Sequence, residues 1–382
     1  MIYYLLPNAA PNIYKQLNCD YNENVCLNPS LSCYLQQIKL KINKYEREWD
    51  IYKKYTNPYE YINTICNSFN LCVSQYKPLS RSFFKMLEII HVFELIQKQE
   101  PICTFHLAEG PGGFIEAVVR ERNNKDDSYV GMTLIDNNNN DPNIPSWKKS
   151  ELFLKKNKNV YIESGEDGTG DLLNIVNFDH VVAKYKNTMD LITADGGFDF
   201  STDFNNQENT IFKLLMAQVC YALCTQKQGG VFVLKLFDCF LPNTVDLIYL
   251  LSSCYKKVYI TKPQTSRYAN SEKYLVCKDF HTSITVSYIR TALIQVINNS
   301  TNTSKIFPFL LPNYFTSKLE EYNAIFGQQQ LENINSTIRY IESKTKGEKI
   351  DSLIQINISK CTKWCIKHNV EYNVFQKHNC FI

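Results

Sequence analysis

No apolar run in this chain reaches the roughly 18–20 residues needed to span a bilayer, which argues against a helical membrane protein. The opening MIYYLLPNAAPN has no basic stretch, and Pro7 breaks its apolar run, so it does not read as a signal peptide. Fourteen cysteines are spread over 382 residues without framework spacing; a disulfide scaffold is excluded, and the thiols read as reduced ones in a cytoplasmic compartment. Charge is also scarce. A net charge of +3 is too small to imply nucleic acid by itself, so any such contact must be a local patch. Two nucleotide signatures are missing as well. There is no G-K-[ST] ending after the glycine-rich turn at 110–113, which excludes ATP or GTP hydrolysis there, and no G-x-G-x-x-G.

What is present is an alternation. Short apolar runs at 102–108, 128–135, 159–164, 190–195, 230–237, 257–263 and 273–280 alternate with helical patterns, clearest at 208–226 and 243–255. Strands alternating with helices imply βαβ units and a mainly parallel sheet. The link from 263 to 273 is too short for a crossover helix, so the last strand is expected to run antiparallel. IKLKINKYEREWDIYKKY (38–55) predicts a charged amphipathic helix, and NNNNDPN (137–143) a polar loop. The expected organisation is a mostly helical N-terminal extension (1–75), an α/β domain (76–282) and a helical C-terminal region (283–382). From 281 onward eleven basic residues face seven acidic ones, a balance that reads as a solvated face.

The first strand runs straight into AEGPGGF (108–114). Glycines there serve either a tight turn or a ligand lying on bare backbone at a helix N-terminus. In an open α/β sheet, ligands bind beyond the carboxyl ends of the strands. Asp136 ends the second strand, where an acidic side chain accepts from ribose hydroxyls; DGTGD (167–171) follows the third, where Asp171 could accept from an adenine amino group or simply shape a turn. Together these suggest an adenosine-containing ligand without a polyphosphate cradle. S-adenosylmethionine fits.

AEGPGGF, GMTL, DGTGD, ITADGGFDF, GGVFVLKLFD and KPQTSRYANSEKYLVCK resemble, in order and spacing, the FtsJ-like ribose 2′-O-methyltransferases, in their adrift-type messenger-RNA cap branch. The resemblance covers about residues 45–280. It implies a Rossmann-like S-adenosylmethionine-dependent methyltransferase fold of seven strands, the last antiparallel. It also implies a Lys-Asp-Lys-Glu tetrad, here Lys85, Asp195, Lys235 and Glu272, acting without a metal. For the cofactor it implies Glu109, Gly110, Pro111, Gly112, Gly113, Phe114, Asp136, Asp171, Leu172 and Asp195. Where the family carries Asp shortly before the turn, this chain has His106, and Glu109 is expected to offer the methionine ammonium its carboxylate. Ser80 and Asn270 match substrate-contacting positions, and Arg81, Arg267 and Lys262 flank the tetrad as phosphate or ribose contacts.

The residues read alone agree. Lysine inside VFVLKLF is unusual, since Lys is almost never fully buried unpaired; the alternative is a strand-end lysine snorkelling to water. Lys85 taken alone could be a surface lysine, and Asp195 and Glu272 turn residues. The expected partner is capped RNA, with other capping or transcription proteins engaged through the C-terminal region. Ribosomal or transfer RNA methylation, and a non-catalytic RNA-binding subunit, stay open. Cys361, Cys365, His368, His378 and Cys380 cluster near the end, but C-x₃-C on a helix is also i, i+4 packing, and no metal is expected. The Asn-, Lys- and Ile-rich composition hints at an AT-rich genome, such as that of a large cytoplasmic DNA virus or a protist.

Overall fold

The computed structural model describes residues 1–19, 26–67, 69–97, 99–136, 144, 146–197, 206–299 and 304–375. The strands are β1 (Ile2–Leu5), β2 (Cys103–Leu107), β3 (Ser128–Met132), β4 (Val160–Ile162), β5 (Met189–Ala194), β6 (Gln226–Leu236), β7 (Tyr255–Lys262) and β8 (Lys273–Phe280). They form one sheet in the order β1-β7-β8-β6-β5-β2-β3-β4. β2 to β6 pair in parallel, and β8 lies antiparallel between β6 and β7. The seven expected strands are all found, with the last antiparallel. The eighth is β1, which pairs antiparallel with β7. Its residues IYYL stand in the region expected to be mostly helical, and four residues are too few for a periodicity to show.

The helices are α1 (Pro29–Ile42), α2 (Glu46–Thr56), α3 (Ser82–Phe93), α4 (Gly113–Arg122), α5 (Glu151–Lys156), α6 (Ile175–Tyr185), α7 (Gln207–Thr225), α8 (Pro242–Cys254), α9 (Val286–Asn298), α10 (Asn313–Glu342) and α11 (Glu348–Lys367). The single helix expected over 38–55 is two, α1 and α2, joined by a tight turn at Asn43–Tyr45. Both α1 and α8 begin with proline at the first turn, where its missing N–H costs nothing.

Two apolar cores cover the faces of the sheet. Phe105 and Leu107 of β2, and Phe232, Leu234 and Leu236 of β6, point into the core built with α6 to α9. Val233 of β6 with Tyr274 and Val276 of β8 point into the other, built with α3, α4 and α11. This two-residue alternation puts Lys235 on the same side as Val233. A third, small cluster of Ile38, Ile334 and Ile338 joins α1 to α10, with Trp49 and Ala269 against it. The N- and C-terminal helices therefore pack on one another beside the strand ends. The order reverses between β2 and β5, so the glycine turn after β2 and Asp195 after β5 flank the switch point. Every described cysteine is a free thiol, and no helix among the described residues is long and apolar enough to cross a membrane.

Candidate active site

Four segments bring the predicted tetrad together as two ion pairs. Lys85, in the first turn of α3, reaches Glu272 just before β8, Nζ to Oε2 2.8 Å. Lys235, near the end of β6, donates to the Asp195 carbonyl at 2.6 Å and lies 3.2 Å from its Oδ1. Lys235 pairs in register with Tyr274, whose hydroxyl donates to Asp195 Oδ1 at 3.1 Å. Ser266 Oγ donates to Glu272 Oε1 at 2.6 Å. Burial works to raise the Glu272 carboxyl, but the Lys85 and Lys235 ammoniums with the Lys85 and Ser266 hydrogen bonds hold it at about 2. It is a permanent anion. Lys235 and Glu272 line a cavity of 520 Å³ with Gly197, Phe237, Trp49, Arg267 and Asn270. The arrangement offers a lysine amine at a cavity wall, oriented by one carboxylate, beside a second lysine held by another.

The glycine turn behaves differently. Gly112 has φ 100° and starts α4. A Cβ on Gly110 would lie 2.4 Å from the Ser146 carbonyl oxygen, and one on Gly113 would lie 2.2 Å from Ser80 Oγ and Ser82 Oγ. The Trp147 ring lies over Gly112 and Gly131. The chain's own residues thus account for much of the glycine requirement. Glu109, expected to meet a ligand ammonium, is buried and bonded within the chain: Oε1 takes the Thr193 hydroxyl and lies 3.1 Å from His106 Nδ1, while Oε2 accepts the Ile115 N–H at 3.2 Å. His106 also meets Thr193 Oγ1 at 2.7 Å and Thr104 Oγ1 at 2.9 Å. Burial raises the Glu109 carboxyl, against the lowering pull of His106 and Thr193. Histidine before the turn and glutamate within it form one internal network that caps α4.

The other cofactor residues divide. Phe114 and Leu172, expected at the cofactor, have buried side chains that belong to the two apolar cores. Asp136 Oδ2 is ion-paired with Lys148 Nζ at 2.7 Å. Asp171 Oδ1 accepts the Leu173 N–H at 2.9 Å. Asp167, not Asp171, organises DGTGD: it accepts from Thr169 N, Thr169 Oγ1, Asn174 Nδ2 and Asn177 Nδ2, and those bonds hold its carboxyl at about 2. The turn at Gly110 and Pro111 follows β2 and Asp195 follows β5, the two neighbouring strands at the switch point. Asp136, Asp167 and one oxygen of Asp171 are engaged by the chain's own donors, which leaves the backbone of the turn, Asp195 and the second oxygen of Asp171 for an adenosyl cofactor.

Among the substrate residues, Asn270 and Arg267 line the cavity. Arg81 is spent elsewhere: it pairs with Glu60 at 3.2 Å and donates to the Glu60, Tyr59 and Thr265 carbonyls. Ser80 Oγ lies 2.6 Å from Ser82 Oγ, against the glycine turn. Lys262, expected as a phosphate or ribose contact, is a buried latch, donating to Asn270 O at 2.6 Å, Asn270 Oδ1 at 2.8 Å and Glu272 O at 2.9 Å. Burial pushes its ammonium down to about 7 despite the nearby Glu272.

Ser266, Tyr274, Glu60 and Trp49 were not singled out from sequence. Ser266 and Tyr274 lie inside TSRYANSEKY, where register with Lys235 is the available signal; Glu60 and Trp49 carried none. Of the terminal cluster, Cys361 Sγ points at the Pro58 carbonyl, and His368 Nδ1 lies 3.0 Å from His91 Nδ1. His378 and Cys380 lie outside the described residues, as do NNNNDPN and the last three residues of ADGGFDF. No group of three metal-ligating side chains occurs among the described residues.

The family described as FtsJ-like methyltransferase matches residues 78–280. Cap-specific mRNA (nucleoside-2′-O-)-methyltransferase 2 of Pongo abelii is 29% identical over 365 residues, covering 90% of this chain and 46% of that protein. Cap-specific mRNA (nucleoside-2′-O-)-methyltransferase 1 of Danio rerio is 36% identical over 245 residues, covering 58% of this chain and 27% of that protein. The chain thus spans less than half the length of these curated relatives. Among solved structures, human methyltransferase-like protein 13 in complex with SAH aligns over 63% of this chain and 96% of that one, at 12% identity and a TM-score of 0.30.

Proposed function

From the premise that the chain belongs to the FtsJ-like methyltransferase family, we propose that it transfers a methyl group to a ribose 2′-hydroxyl of RNA. The substrate we propose is the first transcribed nucleotides of capped messenger RNA. The observation that carries this reading is the pairing of Lys235 with Asp195, and of Lys85 with Glu272, at the wall of one open cavity.

A ribose hydroxyl is a poor nucleophile while protonated. Lys235 Nζ at the cavity wall is the group to take that proton, once its own amine is free. Asp195 fixes the amine through its carbonyl and carboxylate, and Tyr274 fixes Asp195. Lys85 adds a second positive charge beside the site, and Glu272, anionic throughout, holds it there. S-adenosylmethionine, when bound, supplies an activated methyl on a positively charged sulfur. The backbone of Gly110–Gly113, Asp195 and the remaining oxygen of Asp171 are the groups to hold it. The cavity, with Trp49 and Phe237 for a base face and Arg267 for phosphate, is where the strand enters.

The proposed units are a reaction domain (76–282) and an accessory layer from 1–75 and 283–382, which bounds the cavity through Lys39, Trp49, Lys53, Gln330 and Asn333. Other capping or transcription proteins are its proposed partners, and the cytoplasm, in keeping with the free thiols, its proposed compartment. Tritiated methyl transfer to matched capped and uncapped RNAs tests the function. Transfer that needs the cap supports it. Equal transfer to both favours a ribosomal or transfer RNA substrate, and binding without transfer favours an RNA-binding subunit.

A further inference from the structure

Glu60 sits in a short helical turn ahead of α3, with no solvent exposure. It makes no hydrogen bond or ion pair with Lys85, Asp195, Lys235 or Glu272 among the described residues. Its carboxylate nevertheless gathers five donor atoms. Arg267 approaches side-on, Nε to Oε2 3.1 Å and Nη2 to Oε1 2.8 Å. Asn57 Nδ2 reaches Oε2 at 2.6 Å, Thr64 Oγ1 reaches Oε1 at 2.9 Å, and Arg81 Nη1 lies 3.2 Å from Oε2.

Two arginines on one carboxylate leave a positive charge over. They are not equivalent. Arg81 turns its other donors to backbone carbonyls and does not line the cavity. Arg267 lines the cavity, keeps 42% of its side chain exposed, and leaves Nη1 without a hydrogen bond among the described residues. A guanidinium is planar, so fixing one edge of the fork fixes where the rest can point. An arginine already immobilised loses little further freedom when it meets a phosphate.

We infer that Glu60 is a positioning residue for phosphate recognition: it aims the unspent edge of Arg267 at a phosphate of the strand lodged beside Lys235. This rests on the reading of the cavity as an RNA site. Burial works to raise the Glu60 carboxyl, but the two arginines and Asn57 hold it at about 2, so this aim does not change with pH across the neutral range.

The test is a double-mutant cycle on the full chain. Glu60→Gln, Arg267→Ala and the pair are compared for binding of a capped RNA oligonucleotide by fluorescence anisotropy, without cofactor, and for kcat and KM of methyl transfer. Glu60→Gln should weaken binding about tenfold and raise KM to match, with kcat nearly unchanged. In the Arg267→Ala background the same change should move binding by less than about twofold, because its only route is gone. Arg267→Ala should also flatten the salt dependence by about 0.7 in log–log slope, the value for one phosphate of a single strand. An undiminished Glu60→Gln penalty in the Arg267→Ala background, or a fall in kcat at constant RNA affinity, overturns the inference and leaves Glu60 a fold residue. If Glu60→Gln does not fold, Arg267→Lys decides: it keeps the charge but loses the fork, and unchanged RNA affinity overturns the inference. Wild-type chain that binds no RNA would instead overturn the functional reading itself.

Discussion

The cavity wall at Lys235 and the glycine turn lie at the same end of the sheet, yet they use charge in opposite ways. At the wall, Lys235 and Glu272 line open space, each neutralised by an ion-pair partner, Asp195 and Lys85. At the turn, Glu109 is folded under the backbone with His106 and Thr193, and Ser146 and Trp147 lie on the glycines. One region leaves charged side chains at a cavity; the other spends them on its own geometry. A motif rich in glycine therefore says that something lies close to the chain, not whether that something is foreign.

The sharpest break in this comparison is Lys235→Ala. Methyl transfer to capped RNA should fall by about 10³-fold or more, while calorimetric S-adenosylmethionine affinity stays near wild type, since the turn is a separate segment. Lys235→Arg should not rescue, because a guanidinium stays protonated and cannot take the proton. Arginine with near-normal turnover would reduce Lys235 to positioning.

Acid should separate the regions next, by sign. Glu272 is held at about 2, below its ordinary 4.5, so its stabilisation is complete above about pH 4.5 and is lost as pH falls through 2. Buried and paired, it is worth about 3 kcal/mol. Glu109 is raised above its ordinary value, so its contribution is complete below about pH 4.5 and is lost as pH rises through its folded value. Urea unfolding from pH 7 to pH 3 should therefore show Glu272→Gln converging on wild type as the pH drops, and Glu109→Gln falling behind it. Parallel curves would mean that the two carboxyls sit in equivalent surroundings.

Much of this was legible beforehand. Strand–helix alternation placed the seven long-range strands, the short 263–273 link set the direction of β8, and a lysine within VFVLKLF marked the wall. The network at the turn was not legible, because Thr193, which joins His106 and Glu109, reaches them only once β2 and β5 are adjacent. Arg81, Lys262 and Arg267 looked alike as basic residues near the tetrad. What separates them is a buried Glu60, 21 positions from Arg81 and 207 from Arg267, and for Lys262 the acceptors of a folded loop 8 to 10 positions on, geometry that no periodicity carries.

Two smaller effects refine the contrast. Gly110→Val drives a side chain into the Ser146 backbone and should cost about 2 kcal/mol in chemical unfolding and weaken the cofactor. Gly168→Ala, at φ 77° with nothing within 4 Å, should cost only about 1 kcal/mol of backbone strain and leave transfer intact. Equal losses at both sites would mean that conformation, not close packing, governs the turn.

The strand β1 sets an order on how the molecule is made. Ile2–Leu5 finds its partner only when residues 255–262 exist, about 250 positions further along. At the roughly 5–20 residues per second of synthesis, those four residues wait on the order of tens of seconds. Ile2, Tyr3 and Leu5 stay about half exposed even after pairing, because β1 is the edge of the sheet. A strand this short offers few groups for a stray chain to zip onto, which is one way an open edge escapes aggregation. Lengthening β1 with further β-branched residues should strengthen the finished sheet and lower the yield of folded protein at the ribosome.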